Sequence, residues 1–113
     1  MGVARTPTTA DAFNAVAERS RRELLDALGG GEATVNELVQ RLGLSQPQVS
    51  KHLAVLRAVH LVSVRAVGRR RWYRVNGSKL RPLYEWVRSF ESTWNTQLDR
   101  LDDVLAELQT KER

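Results

Sequence analysis

Over a short stretch of chain one local signal recurs three times: Ser20 with Glu23, Thr34 with Glu37, and Ser45 with Gln48. In each pair a hydroxyl stands three positions before a Glu or Gln. The hydroxyl can accept from the third residue's backbone N–H while that residue's side chain reaches back to the first N–H. One such pair carries little weight. Three in succession, each leading into apolar residues at helical spacing, set the phase of the chain. They predict short helices over residues 21–28, with Leu24, Leu25 and Leu28 inward, over 35–42, with Leu38, Val39 and Leu42 inward, and over 46–59.

The surrounding punctuation agrees. Ala10, Phe13, Val16 and Ala17 recur at helical spacing and predict a first helix over 9–18, after a flexible tail over 1–8. Gly29-Gly30-Gly31 closes the second helix, since glycine takes the left-handed cap conformation. No Gly-Lys-Ser/Thr follows it, so it does not read as a phosphate loop. Pro47 falls in a first turn, where its missing N–H costs little. Helices three and four are joined only by Gly43-Leu44-Ser45, the sharp reversal of a helix-turn-helix, with Leu44 beneath both helices. The period then changes. Residues 61–67 and 70–75 are rich in Val, Trp and Tyr and flank Gly68-Arg69, which reads as a β-hairpin. Asn76-Gly77-Ser78 opens a long helix reaching about Leu108, with Pro82 near its start. The expected fold is mostly α with a small β-hairpin: a winged helix-turn-helix of five helices, the long terminal one for dimerisation, in a single domain over 9–109.

Charge is segregated along this frame. The net charge is +5, but residues 41–88 hold eleven Lys or Arg and one acid, Glu85, while the remainder is −5. Solubility does not require that segregation, whereas a surface facing polyphosphate does. The chain has no Cys, which excludes disulfides and thiolate metal sites and fits a reducing cytoplasm. No apolar run approaches the ~18 residues of a membrane span, and residues 1–9 lack the apolar core of an export signal. With only His52 and His60, no Cys and no phosphate loop, no nucleophile–base–orienter set can be assembled. No catalytic residue, metal ligand or cofactor is expected.

Two groups of residues carry the functional expectation. In the helix over 46–59, Val49, Leu53 and Leu56 share one inward face. The opposite face carries Gln46, Ser50, Lys51, Ala54 and Arg57, with Gln48 and His52 at its edges. This set is polar, partly basic and mostly short, and suits a major groove, where Gln reads adenine and Lys or Arg reads guanine or phosphate. The hairpin adds Arg65, Arg69, Arg70, Arg71 and Arg74. These would repel one another without anions and would be neutralised along a phosphate backbone or in a minor groove. Alternation puts Arg71, Tyr73 and Val75 on one side and Arg70, Trp72 and Arg74 on the other. Tyr73 and Trp72 are expected to anchor the hairpin to the helices. The candidate DNA contacts are Gln46, Gln48, Ser50, Lys51, His52, Arg57, Arg65, Arg69, Arg70 and Arg71.

The last helix has a seam. Val87, Trp94, Leu101 and Leu108 recur every seven residues; Leu83, Phe90 and Val104 fill a second line, broken by Gln97, and Leu98 and Leu105 widen the stripe. Such a seam fits a partner helix. Packing onto the first helix is the other reading, and the two combine if the seam's first half is partly internal. The candidate dimer residues are Phe13, Leu83, Val87, Phe90, Trp94, Leu98, Leu101 and Leu105. Two-fold symmetry would set two recognition helices ~34 Å apart, one turn of DNA.

With these residues in place the chain resembles the ArsR family of bacterial winged-helix repressors over residues 10–108. The resemblance is carried by Leu44-Ser45-Gln46-Pro47-Gln48-Val49-Ser50-Lys51-His52-Leu53-Ala54-Val55-Leu56-Arg57, by Leu61-Val62, and by Gly68-Arg69-Arg70-Arg71-Trp72-Tyr73-Arg74. It implies a homodimer with terminal helices at the interface, and repression by blocking promoter DNA, often the regulator's own. The chain departs from the family's metal sensors, which carry Cys on helix three or four, or His with Asp or Glu on the last helix. Here there is no Cys, and the last helix has Asp99, Asp102, Asp103 and Glu107 but no His. Its aromatic residues, Tyr84, Trp86, Phe90 and Trp94, resemble members without metal sites that are encoded beside hydrophobic-ligand-binding proteins. The function expected is a dimeric, sequence-specific DNA-binding repressor acting on an inverted repeat. The alternative is a winged-helix protein-interaction module that does not read DNA, against which the segregated charge stands.

Overall fold

The computed structural model describes residues 7–111, so positions 1–6 of the expected tail lie outside the described residues. Capping chemistry starts three of its helices. Thr8 opens α1 (Thr9–Val16): its hydroxyl accepts from the Asp11 N–H at 3.3 Å, and its own N–H donates to Asp11 Oδ2 at 2.9 Å. Thr34 opens α3 (Val35–Leu42), accepting from the Glu37 N–H at 3.3 Å. Ser45 opens α4 (Gln46–Ala58) with a full reciprocal box, and Gln48 Oε1 accepts from the Ser45 N–H at 2.9 Å. Each cap contributes about 1 kcal/mol.

The box expected at Ser20 and Glu23 does not form. α2 (Arg19–Gly29) begins one residue before Ser20, behind Glu18, which makes no side-chain cap. The reason lies upstream. Arg21 Nε donates to the Ala15 carbonyl at 2.6 Å, and Arg22 Nη1 donates to those of Val16 and Ala17 at 2.8 and 2.9 Å. These are carbonyls that the end of α1 leaves open. Two arginines in the first turn of α2 are thus drawn back onto α1, and Ser20 falls inside the helix.

α3 ends at Gly43, whose φ of +67° is left-handed and whose N–H donates to the Val39 carbonyl at 3.0 Å. Glycine adopts that conformation freely, so the chain reverses within three residues. Val49, Leu53 and Leu56 of α4 are then buried with Leu24 and Leu28 of α2, Leu38 of α3, and Leu61 and Val62. In α1 the buried residues are Ala12 and Ala15, while Phe13 and Val16 are half-buried and Ala10 and Ala17 exposed. The apolar face of that helix is therefore rotated from the predicted one.

α4 ends in a left-handed residue at His60, φ +66°. The His60 N–H donates to the Arg57 carbonyl at 3.0 Å and the Leu61 N–H to that of Leu56 at 2.9 Å. This pair of bonds is a Schellman cap, and it aims the chain into β1 (Val62–Val67). β1 pairs antiparallel with β2 (Arg70–Val75), Val62 opposite Val75 and Val67 opposite Arg70. Gly68 has φ +61° and Arg69 does not share the positive sign, the pattern of a II′ hairpin turn. Tyr73 exchanges both backbone hydrogen bonds with Ala33, at 3.0 and 2.8 Å, and packs on the core, so the hairpin is tied to the loop before α3. Trp72 is half-buried.

The single terminal helix expected from the sequence is interrupted, and the described residues form six α-helices where five were expected. A 3₁₀ turn covers Gly77–Leu80, α5 (Arg81–Arg88) holds Pro82 in its first turn, and α6 (Glu91–Lys111) follows. Between them the Ser89 hydroxyl donates to the Trp86 carbonyl at 2.5 Å, and the Phe90 N–H turns back to the Val87 carbonyl at 3.1 Å. Such tightened i→i+3 bonding ends α5 without Gly or Pro. The chain divides into two compact units, Met1–Leu83 and Tyr84–Arg113. Among the described residues the buried ones all lie in the first. In the second, the Trp86 and Phe90 rings meet edge to face, centroids 5.3 Å apart. Among the described residues no helix is long and apolar enough to cross a membrane.

Candidate nucleic-acid interface

Burying Val49, Leu53 and Leu56 turns the other face of α4 outward. Gln46, Gln48, Ser50, Lys51 and Arg57 are all exposed there. They are not equivalent. Gln48 Oε1 already accepts from Ser45, whereas the Gln46 amide makes no hydrogen bond among the described residues and keeps both its donor and its acceptor. Bidentate reading of adenine needs both. His52 is half-buried, and its Nδ1 is enclosed without a partner among the described residues, which turns that edge of the ring away from solvent.

The hairpin meets α4 at both ends. Near the helix start, Gln46 lines a cleft of about 450 Å³ with Arg69, Arg70 and Arg71, closed by Thr34, Val35, Asn36 and Glu37 of the α3 start. Near the helix end, Arg57 lines a second cleft, of about 300 Å³, with Arg71, Val64 and Ala66. Arg71 borders both, so recognition helix and hairpin form one continuous basic face. Among the described residues Arg57, Arg69, Arg70 and Arg71 make no ion pair. Arg65 is different. Its Nε lies 2.7 Å from Glu32 Oε2, with the two side chains 58% and 31% exposed. That charge is already partnered within the protein. Sequence reasoning did not find Glu32, because nothing local marks an acid 33 residues from its arginine.

The candidate dimer residues fall in two groups. Phe13 is half-buried on α1, and Leu83 packs against the core of the first unit. Val87, Phe90, Trp94, Leu98, Leu101 and Leu105 are exposed. The turn at Ser89-Phe90 means that the seven-residue line from Leu83 does not run along one helix. Within α6, Trp94, Leu98, Leu101, Leu105 and Leu108 still recur in steps of four and three, which is one face. No cluster of three or more His, Asp or Glu that could hold a metal occurs among the described residues.

Comparison with known proteins matches residues 18–64 to the family described as bacterial regulatory protein, arsR family. The chain is 30% identical over 78 residues to the transcriptional repressor SdpR of Bacillus subtilis, covering 69% of this chain and 87% of that one. It is 37% identical over 83 residues to the HTH-type transcriptional regulator Rv2034 of Mycobacterium tuberculosis, covering 74% of this chain and 76% of the relative. Among solved structures it resembles an ArsR-like transcriptional regulator from Rhodococcus sp. RHA1, with a TM-score of 0.65 and 29% identity over 84% of this chain and 90% of that one. Sequence, fold and basic face agree: the chain belongs to the ArsR family of winged helix-turn-helix transcriptional regulators, DNA-binding proteins and not enzymes.

Proposed function

We propose that this DNA-binding regulator is a homodimeric repressor that acts in the cytoplasm and reads an imperfect inverted repeat, with its own promoter as a candidate target. The observation that carries the reading is the shared lining of the two clefts, which joins both ends of α4 to the arginines of the hairpin. In this reading Gln46, Ser50 and Lys51 meet base edges in the major groove. Gln48, His52, Arg57, Arg69, Arg70 and Arg71 hold the backbone, and Arg65, already paired with Glu32, stands by them in β1 with a smaller share. The half-exposed apolar face of α6, with Val87 and Phe90 before it in the chain, meets a second subunit, and Phe13 and Leu83 of the first unit also belong to the dimer contact in this reading. Residues 9–109 then act as one DNA-binding and dimerisation module. The similarity to SdpR, a transcriptional repressor, and to Rv2034, a transcriptional regulator, supports this line.

Gel shifts against the DNA upstream of the gene, at several salt concentrations, test it. Binding should weaken steeply with salt, because each neutralised phosphate releases counterions. Gln46→Ala or Ser50→Ala should cost about 1–3 kcal/mol at particular bases, while Arg70→Ala weakens binding to every sequence. No preference over random duplex would replace this reading with that of a protein-interaction module.

A further inference from the structure

We propose that Arg57 and Arg71 form a seat for a single backbone phosphate of duplex DNA, in the cleft between α4 and the hairpin. This rests on the DNA-binding reading above and adds one defined anion site to it. The two arginines come from different elements, yet line the same cleft of about 300 Å³, and the rest of its lining is Val64 and Ala66. The cleft holds no acid. Neither arginine is ion-paired among the described residues, and both are exposed.

The other basic positions differ in kind. Arg65 is held by Glu32 at 2.7 Å and Arg41 by Glu37 at 3.3 Å, while Arg74 donates to the Ser63 hydroxyl at 3.0 Å. The cleft that Arg69 and Arg70 line, which Arg71 also borders, includes Glu37. Among the described residues the cleft of Arg57 and Arg71 has two cations bordering one space with no negative charge in its lining. Two like charges so placed repel each other, and an anion between them reverses the sign. Guanidinium groups suit that anion because their planar forks offer paired donors to phosphate oxygens.

The hairpin register supplies the space. Ala66 stands directly opposite Arg71, and Val64 opposite Tyr73, on one face of the ribbon. A methyl group at position 66 leaves room beside the Arg71 side chain. Duplex geometry supplies the ligand. A helix in the major groove and a ribbon in the adjoining minor groove have one sugar–phosphate strand between them, and that strand must pass the cleft.

The test uses the full chain and a short random-sequence duplex, since a phosphate seat is blind to sequence. Affinity is measured across a salt series for wild type, Arg57→Gln, Arg71→Gln, the double variant and Ala66→Leu, with circular dichroism to verify folding. Each arginine variant should lower affinity about tenfold and reduce the slope of log affinity against log salt by about 0.9 per seat engaged. The double variant should lose little more than either single one, because one phosphate is lost once. Ala66→Leu should reproduce the loss without changing any charge, by filling the seat. Additive losses in the double variant, or an Ala66→Leu chain that binds like wild type, would overturn the seat while leaving DNA binding intact. A wild-type chain with no salt-dependent affinity for duplex would remove the DNA-binding reading and the seat with it.

Discussion

The two units place their large apolar residues in opposite ways. Up to Leu83 they are gathered inward, and Leu24, Leu38, Leu53, Leu56 and Leu61 are fully buried. From Tyr84 onward none of the described residues is buried, and Trp94, Leu98, Leu101, Leu105 and Leu108 stay about half exposed along α6. The first unit resembles a finished domain, whose burial balances its ordering entropy internally. The second resembles half of an interface. In proteins helical stability comes mainly from packing an apolar face, and the apolar face of α6 stays open. A domain core and the open face of α6 thus show the same residue types and the same helical period, and only the fold tells them apart.

Substitutions can break or sharpen that contrast. The largest effect belongs to the closed core: Leu53→Ala should lower unfolding free energy by about 2–5 kcal/mol in a urea titration, with a cavity left between α4 and its neighbours. The same truncation in the terminal helix, Leu101→Ala, should leave that transition in place and weaken self-association by about 1–2 kcal/mol in sedimentation equilibrium. Equal effects of the two on unfolding would mean that the division into finished domain and half interface is wrong. Gly43→Ala should cost about 1–2 kcal/mol, read as a drop in Tm, although its methyl group meets no atom within 4 Å. That cost is pure backbone strain and belongs to the first unit alone. Glu32→Gln should cost less than about 1 kcal/mol, and less still in high salt, because its bridge to Arg65 is solvent-exposed.

What the sequence disclosed was local. The turn at Gly43, the box at Ser45 and Gln48, the inward Val49, Leu53 and Leu56, and the hairpin flanking Gly68-Arg69 each depend on residues a few positions apart. What it hid was set by tertiary competition or by unmarked chemistry. Ser20 lost its role because Arg21 and Arg22 were recruited by the open carbonyls of α1. The cap at Thr8 uses Asp11, whose shorter carboxylate lies outside the hydroxyl-to-Glu/Gln pattern that marks the other caps. The break after α5 carries neither Gly nor Pro, only a serine hydroxyl turned onto its own backbone. The site was legible as a basic helix and a basic ribbon; that Arg71 joins them, and that Arg65 is already matched by Glu32, required the fold.

One consequence of the hairpin concerns solubility. Ala33 covers the outer side of β2 at Tyr73, while among the described residues β1 has no neighbour on its far side. Its sequence, Val62-Ser63-Val64-Arg65-Ala66-Val67, would otherwise be a bare β-prone template for another chain. The charged pair of Arg65 with Glu32 in the middle of that edge makes stacking against an identical edge unfavourable, because both hydrated groups would lose water. Neutralising position 65 would therefore show itself first in the test tube, as a chain that precipitates on concentration.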